Sequence, residues 1–136
     1  MRVFLDANIL FSAAMPDSFT RELLDVVWRH AKAITNQHAW EEARRNIEYK
    51  RPHRAGALNA LKPKIEFTDK FKEIIQPVLP DKDRPIMGGA VGSRCTHLWT
   101  GDKRHFGSLY GHTVQGVKIV SGVMLADEIT DKGWFE

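Results

Sequence analysis

The sequence predicts an α/β sandwich built on a mostly parallel sheet, and three observations predict it. Apolar runs of three or four residues recur along the chain, too short for helices. Longer stretches with apolar residues at helical spacing lie between them. Acidic residues follow two of the runs closely, and an open α/β sheet carries its ligands just beyond the carboxyl ends of its strands.

Arg2 to Leu5 reads as a short buried strand that stops at the polar Asp6. Pro16-Asp17-Ser18 starts a helix from Phe19 to about Lys32, with Phe19, Leu23, Val27 and Ala31 in one stripe and Leu24 and Trp28 beside it. Ala33 to Thr35 is the second strand. Asn36 then caps a helix running to about Lys50, with Ala39, Trp40, Ala43 and Ile47 on its apolar line and Pro52 ending it. A short helix over Arg54 to Leu61, a strand at Ile65 to Phe67 and a helix around Lys72 to Val78 follow. The turn Pro80-Asp81-Lys82-Asp83 opens a helix from Arg84 to about Arg94. His97 to Trp99 and Val117 to Val120 are two further strands, and Val123 to Ile129 closes the chain as a helix. No repeat, low-complexity tract or linker divides it, so a single domain over residues 1–136 is expected.

A folded chain of 15.5 kDa exposes about 7,200 Å² where the unfolded one exposes about 22,500 Å², enough burial for a core without disulfide staples. The one cysteine, Cys95, has no intrachain partner and no companions for a zinc site, which excludes the disulfide-rich class and points to a reducing compartment. Asp6 and Asn8 interrupt the apolar stretch of the first fifteen residues, so it does not read as a signal peptide. No apolar run reaches a membrane-spanning length, and a soluble cytoplasmic protein is expected.

The net charge of +3 conceals an uneven distribution. Eleven basic and five acidic residues lie between Arg29 and Lys72, a local charge of +6, while the remainder carries −3. A basic middle beside acidic flanks suits a polyanion held next to carboxylates; a solvated helical face is the plainer reading of the same charges.

Asp6 follows the first strand, and Asp102 follows the strand His97 to Trp99 through Thr100-Gly101. Asp83 opens a helix and Glu42 lies inside one. Four carboxylates converging from four segments suit phosphodiester hydrolysis. Mg²⁺ or Mn²⁺ takes oxygen ligands, lowers the pKa of a bound water and neutralises charge on the phosphate.

Four segments carry a family resemblance. The opening strand with Asp6-Ala7-Asn8-Ile9-Leu10 resembles the first motif of PIN-domain ribonucleases, and Glu42, followed by Ala43 and Ile47, is similar to the second. Leu79-Pro80-Asp81-Lys82-Asp83-Arg84-Pro85-Ile86-Met87, with Ala90 after it, resembles the third, and Thr100-Gly101-Asp102-Lys103, with Phe106, the fourth. The resemblance spans nearly the whole chain through Val117 to Val120.

It implies a three-layer α/β/α sandwich and a Mg²⁺- or Mn²⁺-dependent site that cuts RNA, often in the toxin of a VapC-like pair with a small antitoxin protein. Carried over, Asp6, Glu42, Asp83 and Asp102 form the acidic site. Asp6 and Asp102, on rigid strand ends, would ligate metal directly, and Glu42 and Asp83 through water. A homodimer is implied too, with the apolar helices as candidate interface. Many members carry a further acid after the fourth motif, where this chain has Lys103, Arg104 and His105. That departure counts against a second tightly held metal.

Adjacent helical residues point about 100° apart, so one of Glu41 and Glu42 faces the site easily; Glu42 lies nearer the apolar edge, which leaves Glu41 to pair with Arg44 or Arg45. Asn8 either hydrogen-bonds the Asp6 carboxylate or caps the following turn. Thr100 either donates its hydroxyl to a site carboxylate or simply ends its strand. Lys103 and Arg104, beside Asp102, have the best claim to RNA phosphate, with Arg44 and Arg45 on a wider rim. Of six histidines, His105 alone is close enough to a site acid to touch phosphate, and none shows metal-ligand spacing with another. The helix after Asp83 carries Gly88, Gly89 and Gly92, which close packing on the sheet would explain. Three other readings compete with the toxin ribonuclease: a non-toxin RNA-processing nuclease, phosphoryl transfer through an aspartyl phosphate, which wants a second acid where Asn8 stands, and a catalytically silent RNA-binding module.

Overall fold

Val3, Phe4 and Leu5 are all fully buried in strand β1 (Arg2–Leu5), and three consecutive strand residues can be buried together only where both faces of the sheet are covered. The computed structural model, which describes residues 1–136, meets that requirement with a six-stranded sheet between two helical layers. The remaining strands are β2 (Lys32–Thr35), β3 (Glu66–Phe67), β4 (His97–Trp99), β5 (Thr113–Val114) and β6 (Val117–Val120). Their order is β3-β2-β1-β4-β6-β5. All neighbours run parallel except β5, which pairs antiparallel with β6 across a turn holding Gln115 and Gly116 at positive φ.

The helices are α1 (Ala7–Ala13), α2 (Phe19–His30), α3 (Gln37–Lys50), α4 (Ala55–Leu61), α5 (Arg84–Gly92), α6 (Lys103–Phe106) and α7 (Gly122–Asp131). Side-chain oxygens of Ser18, Asn36 and Ser121 accept from the backbone N–H of Arg21, Ala39 and Met124, which stabilises each helix start by about 1 kcal/mol. Helix α1 packs on α2 and α3, and α2 on α7. One cluster of buried apolar side chains runs through the sheet and both layers. The exposed surface of 7351 Å² is close to the value expected for this mass. No helix is long and apolar enough to cross a membrane.

Strand β1 is central, with β2 on one side and β4 on the other, so the chain reverses direction across the sheet between β1 and β4. Such a switch point opens a crevice beyond the carboxyl ends of the two strands. Leu5 lies opposite Trp99 in the register, which sets Asp6 beside Thr100.

Several expectations change. The helix around Lys72 to Val78 does not form; the segment between β3 and α5 is irregular. Pro77 would sit inside that helix, and a residue before proline is pushed out of the α region. Of the apolar side chains in the segment only Ile74 and Leu79 are buried, while Phe71, Ile75 and Val78 stay exposed, so a helix there would lack a continuous packed face.

The glycines of α5 have two partners rather than one. A Cβ at Gly89 would meet Asn36 and the Phe4 ring on the sheet side, whereas at Gly88 and Gly92 it would strike Phe71 and Lys72 of that irregular segment. The Lys72 N–H donates to the Gly88 carbonyl at 3.0 Å, which ties segment and helix together. Two short helices, α1 and α6, and the edge strand β5 add to the elements expected from the sequence. Asp6 and Asp102 nucleate α1 and α6 as caps, accepting from the N–H groups of Ala7 and His105.

Candidate active site

Asp6 leaves β1 and enters α1 with its carboxylate turned into the crevice, only 4% exposed. Its Oδ1 accepts from the Ala7 N–H at 2.7 Å. Its Oδ2 accepts from the Thr100 hydroxyl at 2.8 Å and from the Asn8 amide at 3.3 Å. Burial pushes the Asp6 carboxyl up to about 6; its three hydrogen bonds oppose that rise and the nearby Glu42 charge adds to it.

Thr100 and Asn8 stitch the two strand ends together. The Thr100 hydroxyl, fully buried, donates to Asp6 and accepts from the Asp102 N–H at 3.1 Å. Asn8 donates to Asp6 and accepts from the Gly101 N–H at 2.7 Å, so both of its amide atoms are engaged. A side chain at Gly101 would come within 3.2 Å of that Asn8 oxygen. The Tyr110 hydroxyl donates to the Thr100 carbonyl at 2.8 Å and pins the same loop from the far side. Nothing in the local sequence marks Tyr110, because its role depends on where the chain returns after α6.

Asp83 stands at the start of α5 but does not cap it. Its carboxylate, 5% exposed, turns instead toward Asp102 and His105. Burial raises the Asp83 carboxyl; His105 and Lys82 pull it back, and the charges of Asp102 and Glu42 push it further up. His105 Nδ1 lies 2.9 Å from Asp102 Oδ2 and 3.1 Å from Asp83 Oδ2. Neither contact has the alignment of a hydrogen bond, and both Nδ1 and Asp83 Oδ2 are buried without a partner. One donor atom from each of Asp83, Asp102 and His105 lies within 4.8 Å of the others. Two carboxylates, an imidazole and two orphaned donor atoms fit a divalent cation better than they fit one another.

The grouping differs from the sequence expectation in two respects. Asp83 offers a free oxygen, whereas both oxygens of Asp6 already accept hydrogen bonds. His105, read from the sequence as a phosphate contact, turns inward. The available signal was its spacing: three residues after Asp102 places both on one face of a helical turn. Glu42 makes no ion pair and is half-buried, and its charge bears on both Asp6 and Asp83. Glu41 faces outward and binds Arg44 at 3.0 Å, and Arg44 is held a second time by Glu48. Arg45, Lys103 and Arg104 are exposed and free of ion pairs, the latter two directly after Asp102.

A surface cavity of about 790 Å³ lies elsewhere, between the end of α2 and the first residues of β2 and β3. It contains Asp25 and Glu66 among lysine and arginine side chains, without a converging donor set. The acids sit at the opposite ends of the strands, where the sheet order reverses, and that position and chemistry outweigh volume.

No family model matches the sequence, and no curated protein does. The fold superposes on a chain of VapBC2 from Rickettsia felis, a structure solved bound to a DNA fragment from their promoter, with a TM-score of 0.65. The alignment covers 89% of this chain and 98% of that one at 14% identity. At that identity the likeness is one of fold: the chain shares its three-layer α/β/α architecture with that protein.

Proposed function

We propose that the chain is a metal-dependent endoribonuclease that hydrolyses phosphodiester bonds of single-stranded or structured RNA, as the toxin of a VapC-like pair. The observation that carries this reading is the meeting of Asp6, Glu42, Asp83 and Asp102, from four separate elements, at the β1/β4 switch point. A bound Mg²⁺ or Mn²⁺ supplies an activated water and neutralises charge on the phosphate. Asp102 and Asp83 would hold the ion. Asp6, fixed by Thr100 and Asn8, and Glu42 would orient the attacking water. Lys103 and Arg104 take the RNA backbone beside the cleaved bond, and Arg45 extends the rim. Arg44, already paired with two carboxylates, contributes less than its neighbour.

The fold shared with VapBC2 supports a protein partner, a small antitoxin. Phe71, Ile75 and Val78 on the segment before α5, and Phe19 and Val123 at the starts of α2 and α7, offer the exposed apolar surface that an antitoxin and a second copy would cover. The test is cleavage of single-stranded RNA with Mn²⁺ or Mg²⁺. Activity is expected to vanish with EDTA and to fall at least about a hundredfold in Asp102→Asn. Full activity in that variant refutes the site.

A further inference from the structure

We infer that His105 is a metal ligand, so that Asp83, Asp102 and His105 form a mixed oxygen and nitrogen site selective for a divalent transition ion of the Mn²⁺ type over Mg²⁺. The inference deepens the ribonuclease reading and rests on it for the ion's role, but the site itself stands on geometry.

Three features support it. Asp83 is 5% exposed and its Oδ2 has no hydrogen-bond partner, a costly state for a buried carboxylate oxygen. His105 Nδ1 is likewise buried and unpartnered, and it points between that oxygen and Asp102 Oδ2 rather than along a hydrogen bond to either. Local hydrogen bonds fix the Asp102 carboxylate. Asp102 Oδ1 accepts the His105 N–H at 3.2 Å, and the Asp102 N–H donates to Thr100, so the carboxylate keeps Oδ2 for the cluster.

An imidazole nitrogen changes which ion is preferred. Mg²⁺ favours an all-oxygen shell and keeps its waters, whereas transition ions such as Zn²⁺ bind imidazole well and Mn²⁺, chiefly an oxygen binder, tolerates it better than Mg²⁺. Asp6 lies outside this cluster, whose mutually close donor atoms come from Asp83, Asp102 and His105, and its own oxygens accept from Ala7, Asn8 and Thr100. The alternative is that a protonated His105 acts as the resident cation, balancing Asp83 and Asp102 with no nitrogen left for metal.

The experiment is Mn²⁺ binding to the metal-free full chain, followed by pulsed electron paramagnetic resonance of the bound ion, with Mg²⁺ as competitor. One Mn²⁺ per chain with the hyperfine coupling of a directly bonded ¹⁴N is expected. His105→Gln should lose that coupling and weaken Mn²⁺ at least about tenfold. His105→Asp should restore binding through oxygen and narrow the preference for Mn²⁺ over Mg²⁺ by a similar factor. Mn²⁺ bound without nitrogen coupling, or with unchanged affinity in His105→Gln, overturns the inference, as does a chain that takes up no Mn²⁺. RNA cleavage is scored separately. A nitrogen-coupled ion in a chain that cuts no RNA supports the site and refutes the nuclease; metal-dependent cutting with an oxygen-only ion does the reverse.

Discussion

Replacing Asp6 by asparagine isolates the energetic burden of a buried carboxylate at this site. Burial moves the Asp6 carboxyl from its ordinary 3.8 up to about 6. That corresponds to about 3 kcal/mol of preference for the neutral form, an order-of-magnitude figure. Because the folded state binds the proton more tightly, it holds more protons than the unfolded chain between those values. Stability therefore falls as pH rises through this window. The contribution of the protonated group is full below about pH 4 and gone above about pH 7, where the folded protein carries an ionised, desolvated Asp6.

The asparagine side chain in Asp6→Asn never ionises. Its carbonyl can still accept from Ala7, and its changed contacts with Thr100 and Asn8 add an offset independent of pH. Urea unfolding of both proteins in EDTA reads the difference, and other titrating groups largely cancel. The stability of Asp6→Asn relative to the parent should rise by roughly 2 kcal/mol between about pH 4.5 and pH 8. A difference that stays flat across that range refutes the claim that an ionised Asp6 is held at a cost in the folded state.

Three further predictions concern what holds the site and what the glycines of two helices meet. Thr100→Val keeps the shape but removes the hydroxyl that joins Asp6 to the Asp102 N–H, and leaving those buried groups without it should cost about 1–3 kcal/mol in urea unfolding; a loss below about 0.5 kcal/mol means the bridge is incidental. Gly92→Ala places a Cβ within 2.7–2.8 Å of the Phe71 backbone, which cannot rotate away, so a loss of about 1–3 kcal/mol is expected despite the better helix former. Gly56→Ala on α4 meets nothing within 4 Å and should gain up to about 1 kcal/mol. Equal responses at the two glycines would remove the reason given for the glycines of α5.

Much of the architecture was legible locally. Val3-Phe4-Leu5 and Val117 to Val120 read as short buried strands, and Ser18 and Asn36 mark helix starts with their own side chains. The failed helix over Lys72 to Val78 shows the limit of apolar spacing, since Pro77 and the absence of a buried face outweigh it. Gly88 and Gly92 were visible as anomalies. Their cause was not, because the segment that presses on them has no regular structure to predict.

By itself the sequence determined the parallel α/β class and the placement of Asp6 and Asp102 just beyond strands, since burial patterns and turn residues act over a few positions. Only the tertiary structure decided what those acids touch. Leu5 opposite Trp99 is a pairing across 94 residues, and it alone sets Thr100 against Asp6. The inward turn of His105 depends likewise on α5 arriving from another part of the chain with an uncapped Asp83 at its start. Contacts of that kind arise from strand order and packing, and no short stretch of sequence encodes either.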